Sequence, residues 1–290
     1  MNQITKDYYE IEKKIHPFVK YLENKKNSKP YCDIYKGIIT MNSPVIMNPE
    51  ILFIGVNAGP GAYNELNNNG INENKTPLRM LGENEMCFNE LNWYEKGTAR
   101  GGKVGKKWVQ YNWYDRDKKV NNVFTTRMID MLYVIGKLKY PNEYAKHKYE
   151  NGVMPFWYES LGKRIMATNL YPISTKNYKD LKRIHELLIK ETELIDFWRP
   201  NSIASGKVNE WRIRLYFIKL IEEVIDLVKP KLIVCLGKMA FHDFTFTRST
   251  KGKIVTKIRT VKGRDYKVIG FSRRGNWSGL IEGVAKEISS

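Results

Sequence analysis

Four short apolar runs punctuate this chain, at 51–56, 164–169, 231–237 and 266–271, and the stretches between several of them carry apolar residues at helical spacing. A run that stays apolar without alternating is what a strand buried on both faces requires. Between 206 and 229, Trp211, Leu215, Ile218, Ile221, Ile225 and Val228 recur every three or four positions, which predicts an amphipathic helix stopped by Pro230. Another helix is predicted over 5–23, followed by a polar link at 24–30. A short helix follows the third run through Phe244, and a last one covers 278–288. Residues 248–267 alternate enough to form a hairpin, and Pro172 prevents the second run from continuing. Strands separated by helices predict an α/β fold with a central, mostly parallel four-stranded sheet covered on both faces.

One stretch breaks this rhythm. Residues 62–160 are rich in Asn, Gly, Lys and aromatics, and read as an insertion with helical patches near 125–138 and 155–162 inside a single domain spanning 1–290. An excursion that long from a compact fold is the kind that carries function. The apolar share of 42% is ample for a packed interior. No apolar run approaches the roughly 20 residues that cross a bilayer, and the start lacks a signal-peptide core, so no membrane association and a soluble cytoplasmic protein are expected. Cys32, Cys87 and Cys235 form no C-x-x-C pair, which predicts reduced, mostly buried thiols. His16, His147, His185 and His242 follow no metal-ligand spacing, so neither metal nor cofactor is expected, and His242 beside Asp243 is expected to satisfy local hydrogen bonds. The sequence carries no signal for oligomeric state.

Charge narrows the class of partner. The chain has 49 Lys and Arg against 31 Asp and Glu, a net charge of +18. Residues 96–119 contribute net +6 and residues 248–274 net +9, so two segments hold 15 of the 18 charges. In the first, Trp108, Tyr111, Trp113 and Tyr114 sit among Lys103, Lys106, Lys107 and Arg116. Cations that neutralise phosphates beside flat rings that stack on bases are what a nucleic-acid surface needs. Those rings can equally anchor the insertion to the core, and both roles stay open. Neither segment has the helical apolar stripe of a membrane-surface element. DNA is the expected partner.

The richest segment chemically is Ile51-Leu52-Phe53-Ile54-Gly55-Val56-Asn57-Ala58-Gly59-Pro60-Gly61, where a buried strand runs into a loop with room for a flat ligand. Glycines at 55, 59 and 61 let the backbone approach that ligand, and Asn57 stands at the mouth. This is how a site is built at the carboxyl end of an α/β sheet. A plain strand-to-helix turn is the alternative. The phosphate-loop readings fail, because neither G-x-G-x-x-G nor G-K-[ST] is present.

Read together, the loops after these strands resemble the uracil-DNA glycosylase superfamily, most closely its single-strand-selective and mismatch-specific branches. Gly55-Val56-Asn57-Ala58-Gly59-Pro60 is similar to the first motif, G-x-N-P-G-P. Asn169-Leu170-Tyr171-Pro172 looks like N-L-C-P, Pro230–Gly237 like P-x-x-I-V-x-L-G, and Gly270-Phe271-Ser272-Arg273 stands where many members have H-P-S-P. Order and spacing agree over 45–60 and 163–288; the insertion and the first helix lie outside the match.

The resemblance implies a three-layer α/β/α sandwich that binds DNA, flips out a pyrimidine and hydrolyses its N-glycosidic bond without metal or cofactor. By that likeness Asn57 and Ser272 belong to catalysis, Gly55, Val56, Gly59 and Asn169 to base binding, and Arg273, Arg274 and Asn276 to DNA binding, to which the basic and aromatic insertion adds Lys103, Lys106 and Lys107 on its charge pattern. Asn57 would orient the attacking water, since an amide is too weak a base to deprotonate it. Asn169 would hydrogen-bond the base edge, and a carboxamide suits uracil in one orientation and cytosine in the other. Two departures matter. Gly59 replaces the tyrosine that bars C5 substituents in the uracil-specific branch, which admits a 5-substituted pyrimidine. Gly270 replaces the His or Asn that donates to the leaving base, so backbone N–H groups of the 272–276 loop, Arg273, Arg274 or the amino end of the last helix would have to serve. Three readings follow: a glycosylase for uracil or a C5-modified pyrimidine, a defence glycosylase for bulky modified cytosine in phage DNA, and a DNA-binding module that has lost catalysis.

Overall fold

A computed structural model describes residues 3–40, 45–57, 78–79, 101–104, 107–110, 134, 164–175, 177–198, 210–247, 254–272 and 277–289. Its centre is a sheet of five strands: β1 (Ile51–Gly55), β2 (Ile165–Asn169), β3 (Ile233–Cys235), β4 (Ile254–Val261) and β5 (Arg264–Phe271). They lie in the order β2-β1-β3-β5-β4. The first four in that order run parallel, with Phe53 beside Ala167 and Val234, and Val234 beside Ile269. Among the described residues, the connections from β2 to β3 and from β3 onward to the closing hairpin carry helices, as a crossover demands. The fold is therefore α/β, with a mostly parallel sheet flanked by helices.

The expectation of four strands is corrected to five. The hairpin expected within 248–267 does not close before the last strand; it uses that strand, pairing Ile254 with Phe271 through to Val261 with Arg264. Lys262 and Gly263 both take positive φ, 49° and 80°, so the two-residue loop has the twist that a tight hairpin prefers. That turn lies within the basic segment, so everything after it is the returning arm. The helix expected over 5–23 is also two helices, α1 (Gln3–Glu12) and α2 (His16–Lys25), joined by a 3-10 turn. Pro17 has no N–H to continue the first helix and instead occupies the opening turn of the second.

The other helices of eight or more residues among those described are α3 (Tyr178–Leu188), α4 (Glu210–Val228), α5 (Lys238–Thr245) and α6 (Trp277–Ser289), with single helical turns at Tyr31–Ile34, Thr192–Leu194 and Ile195–Trp198. Asn177 caps α3 by accepting the Asp180 N–H at 3.0 Å. Within the expected insertion, Gly101–Val104 pairs antiparallel with Lys107–Gln110, and Leu78–Arg79 pairs parallel with Ile38–Ile39. None of these short strands was foreseen, because two to four residues leave too little pattern to count. The helical patches expected near 125–138 and 155–162 lie outside the described residues, apart from Val134. Among the described residues no helix is long and apolar enough to cross a membrane. Cys235 is buried as expected, whereas Cys32 is only partly so.

The sheet's two faces carry different loads. Leu52, Ile54, Met166, Ile233, Cys235 and Val268 join one core with Phe18, Leu22, Phe217, Ile225, Phe241 and Phe244 of α2, α4 and α5. Their neighbours in sequence, Phe53, Ala167, Val234 and Ile269, point to the opposite face and are just as buried. There α6 packs near β4 and β5: Thr256 and Lys267 bond to Glu287, and a Cβ on Gly283 would meet Ile254 at 2.4 Å.

Two buried positions show how tightly the helical face is set. Phe241 of α5 lies against β5 so closely that a Cβ on Gly270 would sit 2.1 Å from its ring. His185 of α3 is fully buried, its ring stacked on Phe217 at 6.1 Å and edge-on to Tyr171 at 5.3 Å. Neither of its ring nitrogens finds a hydrogen-bond partner among the described residues. Burial first, and the nearby Arg214 charge second, push its pKa down to about 3.

Gly270→Ala is expected to destabilise the fold by about 1–3 kcal/mol through overpacking, and adding Phe241→Leu should recover part of that loss. Urea denaturation reads both; a neutral Gly270→Ala would contradict the packing described. The His185 shift has a definite sign. The unfolded chain takes up a proton near pH 6.5 while the folded chain stays neutral to about pH 3. Stability contributed by neutral His185 is thus complete above pH 6.5 and is lost as pH falls from there toward 3, by up to about 1.4 kcal/mol per pH unit. Measured from pH 7 to 4, the unfolding free energy of the parent should fall relative to that of His185→Leu, which lacks the titrating ring.

Candidate functional site

Because the four parallel strands share one direction, their carboxyl ends lie along one edge of the sheet. β1 and β2 are direct neighbours, and their register sets Gly55 opposite Asn169. Paired residues of parallel strands point to the same face, so any side chain at 55 would compete with that of Asn169. The geometry bears this out: a Cβ on Gly55 would lie 2.6 Å from Asn169 Oδ1. Glycine at 55 is what allows the Asn169 carboxamide to lie across the neighbouring strand. Asn169 is only 5% exposed, yet its Nδ2 has no hydrogen-bond partner among the described residues. A buried amide left with an idle donor carries a cost of about 1–3 kcal/mol, which a bound acceptor would offset.

Asn57 follows β1 by two residues and is half-buried. Its Nδ2 donates to the Ile173 carbonyl at 3.2 Å and to Thr175 Oγ1 at 2.9 Å. The Ile173 carbonyl can only accept, so the amide orientation is fixed with nitrogen toward the 173–175 segment. Thr175 Oγ1 in turn donates to the Asn177 carbonyl at 2.8 Å, which settles the direction of its own proton. Oδ1 of Asn57 is thereby the end turned away from that segment, and it is an acceptor. The backbone ties the same two regions together, since Leu170 N–H bonds Gly55 O at 2.8 Å and Tyr171 N–H bonds Val56 O at 2.9 Å.

The other expected residues divide clearly. Asn57, Gly55, Val56 and Asn169 come together on adjacent strand ends. Ser272 directly follows β5 and is buried; β5 is two strands from β1, a lateral step of about 10 Å at the usual spacing. Lys103 and Lys107 lie on the two arms of the short antiparallel pair, Lys103 opposite Trp108 and Lys107 opposite Val104. Gly59, Lys106, Arg273, Arg274 and Asn276 lie outside the described residues. Gly270 faces the α5 side, level with Ile54 and Cys235, whereas Gly55 and Asn169 belong to the other face one row on. A donor at 270 would meet Phe241 and not a ligand held by Asn169. The β5 side chain on the Asn169 face is Phe271.

A cavity of about 40 Å³ lies on the helical side of β2, lined in part by Tyr8, Glu12, Thr40, Thr168, Asn169 and Phe217. It has room for a few waters and not for a pyrimidine ring. Two partners of the site escaped sequence reasoning, namely the Ile173 carbonyl and Thr175. A backbone oxygen leaves no trace in composition, and a single Thr after Pro172 has no pattern to mark it.

No protein-family model matches this chain, and no curated protein matches it in sequence.

Proposed function

We propose that this protein is a DNA glycosylase that flips out a pyrimidine, uracil or a C5-modified base, and hydrolyses its N-glycosidic bond to leave an abasic site. One observation carries the reading: Asn57 and Asn169 stand on the ends of adjacent parallel strands, with Gly55 opening the space that Asn169 spans. The resemblance that gives these residues their roles also implies a three-layer α/β/α sandwich, and the sheet order and flanking helices are compatible with it.

The chemistry asks for three things that these residues can supply. As the C1′–N bond breaks, the sugar becomes cation-like and the base departs as an anion. Asn57, held by Ile173 and Thr175, would accept a hydrogen bond from water at Oδ1, turning a water lone pair toward C1′ by orientation and not by basicity. Asn169 offers its idle Nδ2 to an acceptor on the base edge. The leaving anion would be stabilised by backbone N–H groups of the Ser272–Asn276 segment, by Arg273 or Arg274, and by the amino end of α6, which begins at Trp277. Lys103, Lys106 and Lys107 would neutralise phosphates.

A second reading, a DNA-binding module without catalysis, draws on Gly270. With Phe241 packed on it, that position offers no donor to a leaving base. A defence role against bulky modified cytosine rests on Gly59, on the unusual final motif at 270–273 and on the basic insertion, and is a variant of the main reading.

The decisive test incubates the protein with oligonucleotides bearing uracil, thymine mismatches and C5-modified cytosines, then cleaves abasic sites with alkali. Scission of at least one substrate is expected, and scission of none favours the silent module. Asn57→Ala should lower turnover about 100-fold or more while salt-sensitive DNA binding persists. Undiminished turnover would show that another group positions the water.

A further inference from the structure

We infer that Tyr171 and Asp243 form a buried brace that positions the two amides of the site, an inference that rests on the glycosylase reading. Asp243 lies on α5, is completely buried and accepts the Tyr171 hydroxyl through Oδ2 at 2.6 Å. Arg214 of α4 also donates to Oδ2 at 3.3 Å, and His242 Nδ1 lies 3.1 Å from Oδ1. Three elements, the β2 exit, α4 and α5, therefore meet on one carboxylate. Tyr171 has no exposed surface and packs edge-on to His185 and Phe217.

The reach of that bond is what suggests a role beyond packing. The Tyr171 backbone N–H bonds Val56 O, the residue before Asn57. Two and four residues beyond Tyr171 come Ile173 and Thr175, which hold the Asn57 amide. Two residues before it is Asn169. Both amides thus hang on the segment that the phenol fixes to α5, within a few residues on either side. A buried ion pair is weak evidence for stability, since desolvation can cancel its attraction, but it does select one geometry among near alternatives. Water positioning is sensitive to geometry at the scale of about 1 Å, which can change rate a hundredfold. Tyr171 and Asp243 touch no substrate in this scheme; they are positioning residues.

The test compares the parent with Tyr171→Phe and Asp243→Asn on whichever oligonucleotide the parent cleaves, measuring single-turnover rate, DNA Kd and folded fraction by circular dichroism at the assay temperature. Tyr171→Phe keeps the ring and removes only the bond. Its rate is expected to fall about tenfold or more with Kd within twofold and the chain fully folded. Asp243→Asn should move in the same direction, and the double variant should be no slower than the slower single one, because both cut one interaction. A rate within twofold of the parent in Tyr171→Phe, or a rate loss that only tracks lost folded protein, overturns the brace. Should Tyr171→Phe not fold, Asp243→Asn decides by the same thresholds; if neither folds, the pair is a folding determinant and the inference fails. A parent that cleaves nothing sinks the glycosylase reading itself, whereas an active parent with unchanged variants sinks the brace alone.

Discussion

The register between β1 and β2 is the constraint on which the site depends. Five consecutive parallel pairs, Ile51 with Ile165 through Gly55 with Asn169, lock the two strands side by side. A slip of one residue would turn Asn169 to the face that Met166 and Thr168 now occupy and send those two to the opposite face. The slip is forbidden by the apolar residues themselves, since all ten positions of the two strands are buried and alternate between two packed faces. Burying a side chain such as Phe53 or Met166 is worth roughly 1.5–3 kcal/mol, and several would be misplaced together. The core thus fixes the relative height of two polar groups at its rim.

That rim is polar where the core ends, and the change happens within two residues on each strand. Gly55 supplies no side chain, and Asn169 fills the gap with an amide whose nitrogen is left idle. Asn57 is the converse case, with both its amino protons engaged by the segment beyond β2. One amide is unsatisfied and the other is oriented. An unsatisfied buried donor at a strand end suits ligand recognition, and a rigid amide suits orienting a small molecule.

What the sequence revealed follows from where physical signals are strong. The four parallel strands are continuous apolar runs, and α4 repeats its apolar spacing over five turns, so burial alone exposes them. Pro17 was visible too, but a helical stripe running on either side of it masked the break between α1 and α2. The hairpin was located and its return arm misjudged, because Lys262-Gly263 is a weak turn pair by composition and gains its meaning from two positive φ angles. Asn57 and Asn169 stood out as polar residues at the ends of apolar runs. Their supports did not: Asp243 was expected only to satisfy local hydrogen bonds beside His242, and Tyr171 and Arg214 converge on it from elements distant in sequence.

Gly270 shows how a local departure can have a structural cause without settling function. Its lack of a side chain is required by Phe241, one of the largest fully buried residues, so the glycine belongs to the seating of α5 on β5. Any charge that develops on a departing base would then have to be met from beyond β5. The amino end of α6 begins at Trp277, five residues after Ser272, and a thirteen-residue helix carries a positive dipole at that end. A dipole end needs no titratable donor and is unaffected by pH. Stabilisation of this kind would leave the leaving-group step without the ionisation that a histidine imposes, so any pH dependence of the reaction would come from the substrate and from the fold's own acid limb, to which buried His185 contributes.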